Sequence, residues 1–312
     1  MERLAAIDVG TNTVLLLVAE RRGEALIPLV ERAEITRLGR GVDRTRQLDP
    51  AAIAGTVAVL ARFVAEARAL GATRIACVAT SAARDAQNSA EFFDAVRAAA
   101  GLTPEVISGD EEARLVHSSA WRDFGAPAGG SGPLAVLDVG GGSTEFTYGD
   151  GPIPRGRRSF QVGAVRLTER LGLGDPMTGE DLARLRAAAR AALQDLGTMA
   201  GVSGLRSGRF VGIAGTVTTL AAVEQRLAVY DADRVHGSIL TLEGLERVYL
   251  ELGRLTVLER AQVPGMEPKR ADVIVAGCAV VLEALRAVGF DRLTVSDRGV
   301  RWGLLYDQVD RG

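Results

Sequence analysis

Ala6-Ile7-Asp8-Val9-Gly10-Thr11-Asn12-Thr13 and Leu137-Asp138-Val139-Gly140-Gly141-Gly142-Ser143-Thr144 are one pattern written twice in the chain. In each, a β-rich apolar run carries an aspartate near its end, and a small, polar, glycine-bearing turn leads into another strand-like run. Taken singly, Asp-x-Gly suits an ordinary hairpin turn. The recurrence implies two like domains, each organised round such a turn, facing each other across a cleft.

Outward from these turns the chain alternates short apolar runs with helical patterns, which predicts an α/β fold. Leu4–Val9 and Val14–Ala19 read as a hairpin. Asp49 caps and Pro50 opens a helix with Ile53, Val57, Leu60 and Val64 at helical spacing, closed by Gly71. A strand over Ile75–Ala79 follows. Ser89 is the expected cap of a helix running to Gly101, and a short strand at Val106-Ile107 precedes another helix after Ser108. The stretch Ala126–Pro133, rich in Gly, Pro, Ser and Ala, reads as a linker and marks a domain boundary. Beyond it come strands at Leu134–Val139, Phe210–Ile213 and Leu293–Val295. Thr178 caps a helix with Leu182, Leu185, Leu193 and Leu196 on one stripe, and Asp272–Val288 is a strongly apolar helix.

The composition narrows the function. The chain has 312 residues, 47% hydrophobic and 24% charged, with net charge −2, which predicts more than one core and no nucleic-acid partner. No run of eighteen apolar residues occurs, so no membrane span is expected. The N-terminus enters a strand-like segment with no signal-peptide pattern, and Cys77 and Cys278 sit in apolar stretches. Together these imply a cytoplasmic protein with buried thiols. Two histidines and two cysteines argue against a His/Cys zinc site, and any metal is expected on carboxylate oxygens. Lys269 is the only lysine, and no P-loop exists.

In Asp138-Val-Gly-Gly-Gly-Ser-Thr-Glu145, three consecutive glycines weaken a strand but let a backbone approach a ligand closely, with amides aimed into one concavity that suits phosphate. Ser143 and Thr144 add hydroxyls. Asp138 and Glu145 bracket the turn and can hold Mg²⁺ or its waters. The turn from Asp8 through Gly10, Thr11, Asn12 and Thr13 repeats this chemistry, with Asp8 oriented toward a metal. In Ser108-Gly-Asp-Glu111-Glu112, Ser108 and Glu111 fit a capping box, which leaves Glu112 as the candidate general base. Arg84 follows a predicted strand end, where open α/β sheets bind ligands, and its guanidinium could fork phosphate oxygens. Gly215 and Thr216 open a strand-to-helix turn whose amides could face an anion. His117 and His236 read as structural.

The segments IDVGTNT, VATSAARDAQN, ISGDEEARL, LDVGGGSTE, QVGAVRLTER, DRVHG and LTVSDRGVRWGLLYD together resemble the exopolyphosphatase / guanosine pentaphosphate phosphohydrolase (Ppx/GppA) family, in order along nearly the whole chain. The resemblance implies two actin-like, ribonuclease-H-like domains of the acetate-and-sugar-kinase/actin superfamily, of the short type without an HD-type extension. The domains are then 1–125 with a C-terminal helix of about 300–312, and 126–299. It places the catalytic glutamate on Glu112, metal and phosphate residues on Asp138, Gly140 and Glu145, the first phosphate loop on Asp8–Thr13 and the arginine on Arg84. It also implies hydrolysis of the terminal phosphate of inorganic polyphosphate or pppGpp, use of Mg²⁺ or Mn²⁺, and a homodimer. Trp302 departs from the family, standing where a glutamate is common. The rival expectations are a sensor that binds ppGpp or polyphosphate without catalysis, and a phosphotransferase of the same superfamily.

Overall fold

Residues Arg3–Val9 (β1) are buried on both faces, with no apolar–polar alternation, the mark of a strand sandwiched between helices. The computed structural model describes residues 2–126, 129, 132–199, 204–205 and 208–310. It divides into two units, Met1–Leu115 with Val300–Gly312, and Val116–Gly299.

The first unit carries a sheet of β1, Thr13–Arg22 (β2), Ala25–Ile35 (β3), Arg74–Ala79 (β4) and Glu105–Val106 (β5), in the order β3-β2-β1-β4-β5. β1 and β2 are antiparallel, as are β2 and β3, whereas β1, β4 and β5 run parallel. Odd positions of β1, Ala5, Ile7 and Val9, pack with Val59, Leu60 and Phe63 of the helix Pro50–Ala69 and with Phe92 and Val96 of the helix Ser89–Ala100. Even positions, Leu4 and Ala6, pack with Trp302, Leu305, Tyr306 and Val309 of the helix Val300–Asp310. The period of two therefore puts Asp8 on the face of that C-terminal helix.

The second unit repeats the plan. Its strands are Leu134–Val139 (β6), Thr144–Gly149 (β7), Gly156–Phe160 (β8), Arg209–Ile213 (β9), Ile239–Thr241 (β10) and Arg292–Val295 (β11), in the order β10-β11-β9-β6-β7-β8. Read from β8, the arrangement β8-β7-β6-β9-β11 has the order and the strand directions of the first sheet, and β10 extends its far edge. One mixed α/β sheet plan is therefore present in duplicate, as the actin-like expectation requires. The apolar helix Ile274–Val288 fills the core against Ala135, Leu137 and Val139.

Several local expectations change. Asp49 does cap its helix, accepting from Ala52 N at 3.0 Å, and Gly71 has a φ of 77°. Ser89 does not cap the next helix. Asn88 stands at that position and holds Leu48 instead, accepting from its N at 2.8 Å and donating to its O at 3.1 Å. Thr178 forms a capping box with Asp181, but the helix ends at Ala192 and the buried Leu193 and Leu196 lie beyond it. Half of the Ala126–Pro133 stretch lies outside the described residues, and the division between units falls earlier, inside the helix Gly109–Phe124. The helix Pro50–Ala69 is long and apolar enough to cross a membrane by length and composition, although Arg62 and Glu66 interrupt its apolar residues. One of its faces lies in the first core, while Arg62 and Glu66 pair with Glu34 and Arg32.

Candidate active site

The first unit gathers its polar residues at the carboxyl ends of β1, β4 and β5. Thr80 N donates to Val9 O and Ile107 N to Ala79 O, both at 3.1 Å, so the chain leaves each strand at the same level. The turn after β1 is closed by Gly10 N donating to Thr13 O at 2.9 Å. Gly39 N donates to Thr11 O, and Thr36 N and Arg37 N to Asn12 O. In a trans peptide the N–H points opposite to the C=O, so these bonds aim the amides of Asn12 and Thr13 away from residues 36–39. Asp8, Thr11, Asn12 and Thr13 are all buried, and Asn12 Nδ2 is shielded from solvent with no hydrogen-bond partner among the described residues.

Arg84, on the short helix Ser81–Asp85, donates through Nη1 to Ile107 O at 2.9 Å and stands 3.5 Å from Glu112 Oε2. Its Nη2 is a second buried donor without a hydrogen-bond partner among the described residues. Arg84 and Glu112 therefore come together, and Glu112 is only 8% exposed. Ser108 Oγ does accept from Glu111 N at 3.1 Å. The Glu111 carboxylate, however, turns to Arg114, at 2.6 and 2.9 Å, and Arg114 also holds Asp307 of the C-terminal helix. Half of the capping box is realised. The arginine one turn on offers Glu111 a charged partner that outweighs the neutral backbone N–H.

In the second unit, Gly140 N donates to Ser143 O at 3.1 Å, the counterpart of the Gly10 bond. The first turn of the helix Ala164–Leu171 donates back to this loop: Ala164 N to Gly140 O, Val165 N and Arg166 N to Gly141 O. The amides of Gly141 and Gly142 therefore point away from that helix. Asp138 lies directly opposite Glu145 across β6 and β7. Both are buried on the face away from Leu137 and Phe146, and Ser159 Oγ donates to Glu145 Oε1 at 2.7 Å. In the first turn Asp8 faces Leu15 instead, so only the second turn carries a carboxylate pair. Thr144 Oγ1 donates to Val162 O at 2.6 Å, which makes that hydroxyl structural, and Ser143 is buried beside it.

Among the described residues no three His, Cys, Asp or Glu side chains are grouped to hold a metal ion. The pair Asp138–Glu145 nonetheless suits Mg²⁺, which commonly takes one or two carboxylates, with waters and substrate phosphate completing its shell. Cys77 and Cys278 are buried, and desolvation pushes both thiols up, away from nucleophilic thiolate.

The sequence profile of the Ppx/GppA phosphatase family matches residues 17–312. The chain belongs to that family. It is 38% identical over 318 aligned residues to Exopolyphosphatase 2 of Mycobacterium tuberculosis, covering 97% of this chain and 98% of the relative. The crystal structure of the Aquifex aeolicus Ppx/GppA family member matches with 32% identity and a TM-score of 0.81, covering 99% of this chain and 98% of that one. An exopolyphosphatase from Cytophaga hutchinsonii matches with 26% identity and a TM-score of 0.89, over the same shares.

Within this Ppx/GppA chain, Trp302 is a core residue, 1% exposed against Leu4, Ala6 and Leu17. The helix Ala214–Glu224 begins immediately after β9 without a side-chain cap, with Ala214 at a φ of 73°. Thr216 is buried against Gly277, where a β-carbon would meet its Cγ2 at 2.5 Å. Gly215 carries Arg270 against its Cα, since a β-carbon there would lie 2.1 Å from Arg270 Nη2. Sequence reading missed Arg270, because nothing in Pro-Lys-Arg ties it to a turn 55 residues earlier except the requirement for glycine at 215.

Proposed function

We propose that this protein hydrolyses the terminal phosphoanhydride of inorganic polyphosphate with the help of Mg²⁺, releasing orthophosphate and a chain shorter by one unit. pppGpp is the second substrate that fits the same turns. The observation that carries this reading is two buried donors at the strand ends of the first unit, Asn12 Nδ2 and Arg84 Nη2, with Arg84 beside the buried Glu112. A buried donor without a protein acceptor costs free energy, and phosphate oxygens answer both. The relatives' name, exopolyphosphatase, supports the same substrate.

Glu112 accepts a proton from the attacking water, the new P–O bond forms in line with the departing bridge oxygen, and the shortened chain leaves with the electron pair of the broken bond. Arg84 orients Glu112 through its ion pair and its anchor on Ile107 O, and its second nitrogen faces developing phosphate charge. In the first unit the amides of Asn12 and Thr13 and the Asn12 side chain hold phosphate oxygens, and in the second unit the amides of Gly141 and Gly142 offer the same chemistry. Asp138 and Glu145 would hold Mg²⁺, which would neutralise phosphate charge.

Phosphate release from polyphosphate by the purified protein tests this. Turnover is expected with Mg²⁺ and lost in EDTA. Glu112→Gln should lose on the order of 10²–10⁴-fold in rate, the general-base contribution, while Glu111→Gln, which alters only the Arg114 pair, retains most of it. Full turnover in EDTA, or a dead Glu111→Gln beside an active Glu112→Gln, overturns the assignment. Binding without release would identify a sensor, and release only with an added acceptor a transferase.

A further inference from the structure

Residues 36–46, Thr-Arg-Leu-Gly-Arg-Gly-Val-Asp-Arg-Thr-Arg, carry Arg37, Arg40, Arg44 and Arg46 against a single Asp43. This segment is tied at both ends to the candidate site of the first unit. At its start, Thr36, Arg37 and Gly39 donate to the carbonyls of Asn12 and Thr11, at 3.1, 3.0 and 2.8 Å. The contact is close enough that a β-carbon on Gly39 would lie 2.3 Å from Thr11 Cγ2. At its end, Gln87 N donates to Arg46 O at 2.8 Å, and the Asn88 side chain brackets Leu48, three residues beyond Asp85. The loop thus spans from the phosphate turn to the segment that follows Arg84. Arg37 and Arg46 sit at φ values of 56° and 58°, a conformation that side chains other than glycine adopt at a cost. Thr36 Oγ1 is a further shielded hydroxyl without a hydrogen-bond partner among the described residues, next to Asn12 O.

We propose that residues 36–46 are a binding rail for the distal phosphates of a long polyphosphate chain, selecting a linear polyanion over a nucleotide at this site. The inference rests on the phosphohydrolase reading above and adds the specificity that reading leaves open. Repeated guanidinium groups match repeated phosphates, and the loop that carries them is bonded to the backbone of the Asn12 turn at one end and to Gln87, beyond Arg84, at the other. Arg40, Arg44 and Arg46 are solvent-exposed. The segment holds no aromatic residue on which a guanine could stack.

The test replaces Arg40, Arg44 and Arg46 together by alanine, and in a second protein by lysine. Both are assayed on long-chain polyphosphate, on tripolyphosphate and on pppGpp, with melting curves to verify folding. The alanine variant should lower the ratio of kcat/KM for long chain over tripolyphosphate on the order of tenfold. It should flatten the dependence of log KM on log salt for the long chain, because fewer counterions are released. Its pppGpp efficiency should fall less than its long-chain efficiency, and the lysine variant should recover most of the loss. An unchanged ratio, or a lysine variant as impaired as alanine, overturns the rail. If wild-type protein releases phosphate from none of the substrates, the phosphohydrolase reading fails separately. Equilibrium binding of long-chain polyphosphate to wild type and variants then still decides the rail, supported by weaker binding in the alanine variant and refuted by equal binding.

Discussion

His117 is fully buried, its Nδ1 2.8 Å from Thr147 Oγ1 and its Nε2 3.0 Å from Gly151 O. A carbonyl can only accept, so Nε2 carries the proton and Nδ1 accepts from the threonine hydroxyl. Burial pushes the imidazole pKa down to about 4. The unfolded chain then takes up a proton that the native state refuses. This contribution is full above the unfolded value of about 6.5 and is lost as pH falls toward 4, at about 1.4 kcal/mol per unit. His117→Gln removes the titration. The stability gap between wild type and this variant, measured by urea unfolding, should therefore narrow by about 2 kcal/mol between pH 7 and pH 5. A gap that does not move with pH would show that His117 does not titrate on unfolding. At this scale the sequence was legible where a role depends on residue type and neighbours: a structural His117 and two buried thiols. The partner of Arg84 was not legible, because Glu112 is 28 residues away in sequence and reaches it only through strand ends brought level by the sheet.

At the scale of elements, the Gly140–Gly142 turn is shaped as much by its neighbour as by any ligand. Gly163 precedes the helix Ala164–Leu171, and a β-carbon there would lie 2.5 Å from Gly141 C and O and 2.7 Å from Gly142 N. All three are backbone atoms, so the turn itself must move. Gly163→Ala should destabilise by roughly 1–3 kcal/mol, as overpacking does. It should also lower phosphate release by at least about tenfold with a raised KM, since displaced amides no longer converge. Gly179→Ala, at the start of a helix with open space round its Cα, is the comparison and should be neutral or slightly stabilising. Equal activity in both variants would mean that the turn's geometry does not govern the reaction. The glycine run itself could be read as a ligand turn. Its dependence on Gly163, 22 residues beyond Gly141, could not, because a close approach between two backbones leaves no periodic signal.

At the scale of the molecule, the duplicated Asp-x-Gly turn foretold duplicated sheets, and the repeated strand order is that duplication made visible. Hydrophobic periodicity could not show which helix covers which face when β1 and β6 are buried on both. Nor could it show how the last helix closes the first unit, since residues 300–310 must pass over the whole second unit in sequence before meeting β1. That return is held by the Trp302–Leu305–Tyr306–Val309 stripe and by Asp307 on Arg114. It also needs glycine at 303, where a β-carbon would lie 2.3 Å from Leu115 O. Trp302 is the largest fully buried side chain, so Trp302→Ala should cost about 3–5 kcal/mol, and the loss should fall on one unit. Hydrogen exchange of the variant should show protection falling in β1, β2 and β3 while β6, β7 and β9 keep theirs. Trp302→Phe, which keeps an aromatic ring in the stripe, should lose much less. A uniform fall in protection across both sheets would mean that the two units unfold as one cooperative body rather than each round its own core.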